Sequence, residues 1–133
     1  MTFTPSLFLR RVLLLDAVAT GATGLLLLGG TSLLQSLLAL PASLMTYAGI
    51  FCVAWAAIVG FASTRKELTR NFVWTIIWAN AAWTLGSLAL LVSGYVAPTL
   101  LGYAFVIAQA IVVGVFAELQ YVGLTKRAST AAA

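Results

Sequence analysis

The stretch Leu7–Gly29, LFLRRVLLLDAVATGATGLLLLG, decides the fold. After Arg10 and Arg11 it runs apolar to Gly29, broken only by Asp16 and two threonines. A secretory signal carries an apolar core of about 7–15 residues, and this run is longer. It is long enough to cross a bilayer, which takes about 20 mainly apolar residues. It therefore reads as a first membrane span that stays in the protein.

Working outward, three further windows have the same character: Ala42–Ser63, Phe72–Ser93 and Thr99–Leu124. In lipid the backbone must satisfy its own hydrogen bonds, so these windows are helices. The strands of a membrane barrel would alternate polar and apolar residues, and these do not. The expected fold is all-α, a polytopic four-helix membrane bundle forming one domain over residues 1–133.

Composition agrees. Of 133 residues, 62% are apolar and 8% charged, against about 25% charged in an ordinary soluble domain. Mean hydropathy is +1.08. There is no His, which excludes imidazole ligation of haem or zinc and a His general base. The lone Cys52 cannot form an internal disulfide or a thiolate cluster. Three acids are too few for a carboxylate cage. No nucleophile has a base beside it, and no phosphate-binding loop follows a strand. The expectation is a non-enzyme with no catalytic residue, no metal and no cofactor.

The connections are punctuated as helix ends should be. Gly29-Gly30 closes the first helix, and Gly94 sits at the C-cap of the third. Pro41 and Pro98 stand where a first helical turn begins. The short link Gly94–Pro98 makes the third and fourth helices antiparallel neighbours. Thr31–Leu40, TSLLQSLLAL, places Leu33, Leu34, Leu37 and Leu38 on one helical face and Ser32, Gln35 and Ser36 on another. That is a short amphipathic helix at the outer interface. A re-entrant segment, or an extension of the second helix interrupted at Pro41, is the rival reading.

All seven basic residues fall on one side of this map: Arg10 and Arg11, then Arg65, Lys66 and Arg70, then Lys126 and Arg127. By the positive-inside rule both termini and the middle loop face the cytoplasm of a multi-pass protein in a bacterial inner membrane. The basic residues are explained by orientation and by anionic lipid headgroups, so nucleic acid is not an expected partner.

Polar residues within the spans carry whatever function there is, because the bilayer makes them expensive. At 1.5 Å per residue, Asp16 lies about 7–8 Å past Arg11, Asn80 about 15 Å past Arg70 and Glu118 about 12 Å before Lys126. All three occupy the same half of the membrane, and a cluster of Asp16, Asn80 and Glu118 is the candidate site. At about 100° per residue, Asp16, Thr20, Thr23 and Leu27 form one stripe, with Ala17, Gly21 and Gly24 beside it. Small residues admit another helix closely. Asn80, Thr84 and Ser87 form a similar stripe flanked by Trp83. Trp78 and Trp83 lie deep and serve either packing or a ligand.

On the fourth helix Gln109 and Gln120 share a face, and Glu118 lies on the opposite one. Two polar faces imply a homodimer or a partner membrane subunit, with Thr20, Gly21, Gly24, Gln109 and Gln120 as helix-association candidates. The alternative is that Glu118 and Gln120 snorkel to the headgroups. For Asp16 the alternatives are an ion pair with Arg10, Arg11 or Arg65, a proton- or ion-coupling role, or ligand contact.

Two resemblances bear on these residues. Small multidrug-resistance transporters share four helices and an acid in the first, but Leu15-Asp16-Ala17-Val18 does not resemble their glutamate motif. Arg10-Arg11, Gly21–Gly24, Leu33–Leu40 and Pro41 together resemble the small bacterial four-helix membrane proteins loosely grouped as DoxX-like. Phe116–Tyr121 looks like a motif of uncharacterised bacterial membrane proteins. The resemblance implies the four-helix layout and carries over no catalytic residue. Two functions are expected from this reading. The first is an accessory, assembly or interaction subunit. The second is a small proton-coupled transporter or carrier of an apolar ligand that uses Asp16 and Glu118.

Overall fold

The computed structural model describes residues 2–132, with side chains to Thr125. The side chains of Lys126 and Arg127, which the charge map invokes, lie outside the described residues. The chain is 84% helical. Its helices are α1 (Leu7–Gly29), α2 (Thr31–Leu38), α3 (Ala42–Thr64), α4 (Arg70–Ser93) and α5 (Leu100–Ala132). Four of them are long and apolar enough to cross a membrane, with α5 counted as Leu100–Thr125. The fold is an all-α four-helix bundle of a multi-pass membrane protein.

The helix ends follow from local chemistry. Ser6 caps α1 by accepting from the Leu9 N–H at 3.1 Å. Thr69 does the same for Phe72 at 3.1 Å, which starts α4 at Arg70, two residues before the apolar window. The sequence places Pro98 in the first turn of the last helix, but the cap is Thr99. Its hydroxyl oxygen accepts from Gly102 N at 3.1 Å and its O–H donates to Leu37 O at 2.7 Å. Thr99 N also donates to Leu38 O at 3.1 Å. One residue thus satisfies orphan groups at the start of α5 and the end of α2.

The α2 segment is a separate helix, ended by Ala39 at φ 55°. Gly94 takes φ 83° after α4, a conformation that costs a residue with a Cβ about 1–2 kcal/mol. Leu38 is buried in the core at this end, whereas Leu33 and Leu37 are exposed.

Two antiparallel hairpins make the bundle. α1 packs along α3, α4 packs along α5, and α1 joins α5 along a shorter seam. Around the bundle the order is α3, α1, α5, α4, with α4 and α3 meeting through side chains and little close backbone packing. At one end a pair of two-residue strands, β1 (Thr2–Phe3) and β2 (Leu68–Thr69), ties the N-terminal segment to the α3–α4 loop in antiparallel register. Segments this short carry no strand signal, and the sequence did not announce them.

The end bearing β1 and β2 is filled by Leu9, Leu13, Val59, Val73, Ile76 and Leu124. A second core, including Leu27, Leu38, Met45 and Val106, fills the α2 end. Leu14, Val18, Leu25, Phe61, Trp78 and Leu85 are exposed on the outside, as side chains that face lipid tails should be.

Candidate functional site

Between the two cores lies a polar knot. Asp16, Asn80 and Gln120 are buried, Asp16 and Gln120 at 0% exposure. Asp16 Oδ1 accepts from the Thr20 hydroxyl at 3.0 Å. Oδ2 accepts from Asn80 Nδ2 at 2.9 Å and from Gln120 Nε2 at 2.7 Å. Asn80 Nδ2 donates a second time, to Gln120 Oε1 at 3.0 Å. Three helices are thereby pinned at one point, each polar group satisfying another, as burial in a low dielectric demands.

The expected cluster is corrected at one member: Gln120 stands where Glu118 was placed, and Glu118 is exposed. The reason is angular. Residues two positions apart on a helix differ by about 200°, so with Gln120 inward Glu118 must point out. The signal was present in the shared face of Gln109 and Gln120, since Gln109 also points inward. The ion-pair alternative for Asp16 is corrected too. Among the described residues its partners are Thr20, Asn80 and Gln120, with no Lys or Arg. Arg10 is occupied instead at the α3 C-terminus, donating to Ser63 O at 3.2 Å and Lys66 O at 3.3 Å. Arg65 lies 5.1 Å from the Phe61 ring centroid.

The helix-association candidates all meet this chain's own helices. Gly21 faces Ala56, and Gly24 faces Gly49 and Cys52. Thr20 and Gln120 belong to the knot. Gln109 Oε1 accepts from the Trp83 indole N–H at 2.8 Å, and its Nε2 donates to Val106 O at 2.9 Å.

Above the knot the bundle is hollow. One cavity of about 270 Å³ is lined by Thr20, Trp55, Asn80, Gln109 and Phe116 among others. A second, of about 620 Å³, extends toward the α2 end past Leu27, Met45 and Leu90. Thr23, Phe51, Ala79, Trp83, Phe105 and Gln109 line both, so the two adjoin as a smaller and a larger chamber along the bundle. Phe51 of α3 stacks on Trp83 of α4 with ring centroids 5.3 Å apart and planes 6° apart. It also stacks on Trp55 at 6.1 Å and 8°. These rings bridge α3 and α4. Of the two roles open to the deep tryptophans, Trp83 lines the cleft, whereas Trp78 is exposed beside Trp74 at 6.4 Å.

The polar atoms at the cleft wall have a common sense. Thr23 Oγ1 donates to Ala19 O at 2.8 Å and Ser87 Oγ to Trp83 O at 2.7 Å. With their hydrogens spent on their own helices, these hydroxyls present lone pairs. Thr20 spends its hydrogen on Asp16. Both side-chain hydrogen bonds of Asn80 are donations from Nδ2. Among the described residues Oδ1 has no partner, yet no fully buried side-chain polar atom is left unsatisfied. Oδ1 therefore has open surface, and Asn80 lines the smaller chamber. Comparison of the chain with protein-family models, curated proteins and solved structures finds no match.

Proposed function

We propose that this chain is a non-enzymatic membrane protein that binds and carries an apolar small molecule dissolved in the bilayer. The observation that carries this reading is the cleft. Its larger chamber, about 620 Å³, falls within the range of about 300–1,000 Å³ typical of small-ligand sites. Its wall is apolar and aromatic with a few convergent polar groups, the composition such sites use. In this reading the ligand enters between α3 and α4, consecutive helices that share little close backbone packing. A ligand entering there would leave water out of the path altogether.

The protein is placed by this reading in a bacterial inner membrane with both termini cytoplasmic, on the strength of the one-sided Lys and Arg. A second reading, an accessory subunit that pairs with itself or with another membrane protein, is favoured by Glu118. It is an exposed acid on a spanning helix, and intramembrane acids seek partners.

The test is retention of a ligand. Protein extracted from its native membrane in mild detergent is weighed intact by native mass spectrometry, beside Ala79→Leu, which fills the wall shared by both chambers. A small adduct on the wild type that is absent from the variant supports the carrier. Adduct-free protein in both, with a dimer or a co-purifying subunit, supports the second reading.

A further inference from the structure

We infer that the ligand is a lipophilic amine bound as its ammonium, with the positive head against Asn80 and the apolar body in the larger chamber. The inference rests on the cleft reading above and adds the sign of the ligand's polar group.

Three observations converge. First, Asp16 is a fully buried carboxylate with amide and hydroxyl partners but no cation among the described residues. A buried charge without a countercharge costs several kcal/mol even when hydrogen-bonded. A cation in the cleft would offset that cost.

Second, Asn80 stands between that carboxylate and the cleft. It is 4% exposed, its N–H₂ points at Asp16, and its carbonyl oxygen has open surface in the smaller chamber. The amide dipole is therefore aligned with the carboxylate behind it, negative end toward the cleft. Hydrogen-bonded groups arranged in series polarise one another, so this oxygen is a stronger acceptor than an isolated amide.

Third, the hydroxyls of Thr20 and Thr23, which line the smaller chamber with Asn80, donate elsewhere and leave their lone pairs free. Opposing donors are few: the second amide hydrogen of Gln109, the Trp55 indole N–H and the weak S–H of Cys52. Acceptors grouped around Asn80 disfavour a ligand head that only accepts, because each desolvated lone pair would face another. They take a donor, and with a carboxylate behind them they prefer a positively charged one. The rings of Phe51, Trp83 and Phe116 suit the same choice, since a cation near an aromatic face gains about 0.5–2 kcal/mol.

Nothing covalent follows; the event is binding. Dodecylamine and dodecanol, which share a chain and differ in the head, are titrated into the protein in nanodiscs of zwitterionic lipid. Heat is measured against empty nanodiscs. Wild type is expected to bind the amine at least tenfold tighter than the alcohol. Asp16→Asn, which keeps a hydrogen-bonding side chain and removes the acid, is expected to erase that preference. Glu118→Gln, outside the cleft, is expected to keep it. Equal affinity for amine and alcohol in the wild type, or an undiminished preference in Asp16→Asn, overturns the inference while leaving the cleft reading in place. Saturable binding of neither compound overturns both. The wild-type comparison needs no variant, so it decides the matter even if Asp16→Asn does not fold.

Discussion

Two seams meet on α3, and they are built on opposite principles. Toward α1 it presents Gly49, Cys52, Ala56 and Gly60, which meet Gly24, Gly21 and Ala17. Glycine at 24 and 49 leaves room for Val53 and Leu28 across the seam, and the two backbones come together. A Cβ added at Gly24 would lie 2.9 Å from the Gly49 carbonyl oxygen. Toward α4 the same helix presents Phe51 and Trp55, and the contact is made by stacked rings. Small residues close a seam in lipid, where van der Waals packing is the main attraction. Large flat residues hold helices apart and leave space above and below the rings. The contrast teaches that the cleft is a consequence of side-chain size along one helix. It is closed on the α1 side by residues too small to prop it and propped on the α4 side by residues too large to close it.

The comparison is broken most severely at its tight seam. Gly24→Leu places a side chain where Val53, Gly49 and Cys52 already stand. It is expected to remove folded protein from detergent extracts, a loss of about 3 kcal/mol or more on the scale of core overpacking. Gly86→Leu, where an added Cβ meets nothing within 4 Å, is expected to leave the yield of monodisperse protein unchanged. If both behaved alike, the α1–α3 packing would not be the foundation of the fold.

A smaller effect is expected at the knot that joins the two hairpins. Asp16→Leu strips Gln120 Nε2 and one Asn80 hydrogen of their acceptor. The cost of such orphaned donors is about 1–3 kcal/mol, read as an earlier midpoint in unfolding by denaturant. Asp16→Asn, able to accept one of them, should lie between wild type and Asp16→Leu.

At the aromatic seam the expected change is smaller still. Trp83→Phe keeps a ring for Phe51 and loses the hydrogen bond to Gln109, worth about 0.6 kcal/mol and at most about 2 between membrane helices. Unfolding should shift barely, because this seam contributes little to stability. A large loss would mean that the rings hold the bundle together.

Most of this fold was legible because lipid reduces the problem to length and hydropathy. The four spans, the glycine stops at Gly30 and Gly94 and the amphipathic Thr31–Leu38 all follow from local patterns. The Asp16 stripe was legible as protein-facing because small residues flank it. What could not be read was the neighbour order. An apolar helix in a membrane is hydrophobic on every side, so its inward face is marked only by polar and small residues. On α5 those marks conflict: Gln109 and Gln120 point one way and Glu118 the other. Charge favoured Glu118, and the geometry of the knot takes Gln120, an amide that can donate to Asp16 where a carboxylate would repel it. The cleft had no sequence signal of its own. It arises from Phe51 and Trp83, 32 positions apart in the numbering, meeting across helices that the chain order alone would have packed together.

The central claim is that the space beside Phe51 holds a small molecule taken from the bilayer, and photocrosslinking there tests it most directly. p-Benzoyl-phenylalanine is incorporated in place of Phe51, native membranes are irradiated, and the crosslinked product is analysed by mass. The account predicts a discrete adduct of a few hundred daltons, with a mass that fits an apolar amine, that is competed by dodecylamine. A crosslink to a second polypeptide at that position would contradict it and make the seam between α3 and α4 a docking site for a partner helix.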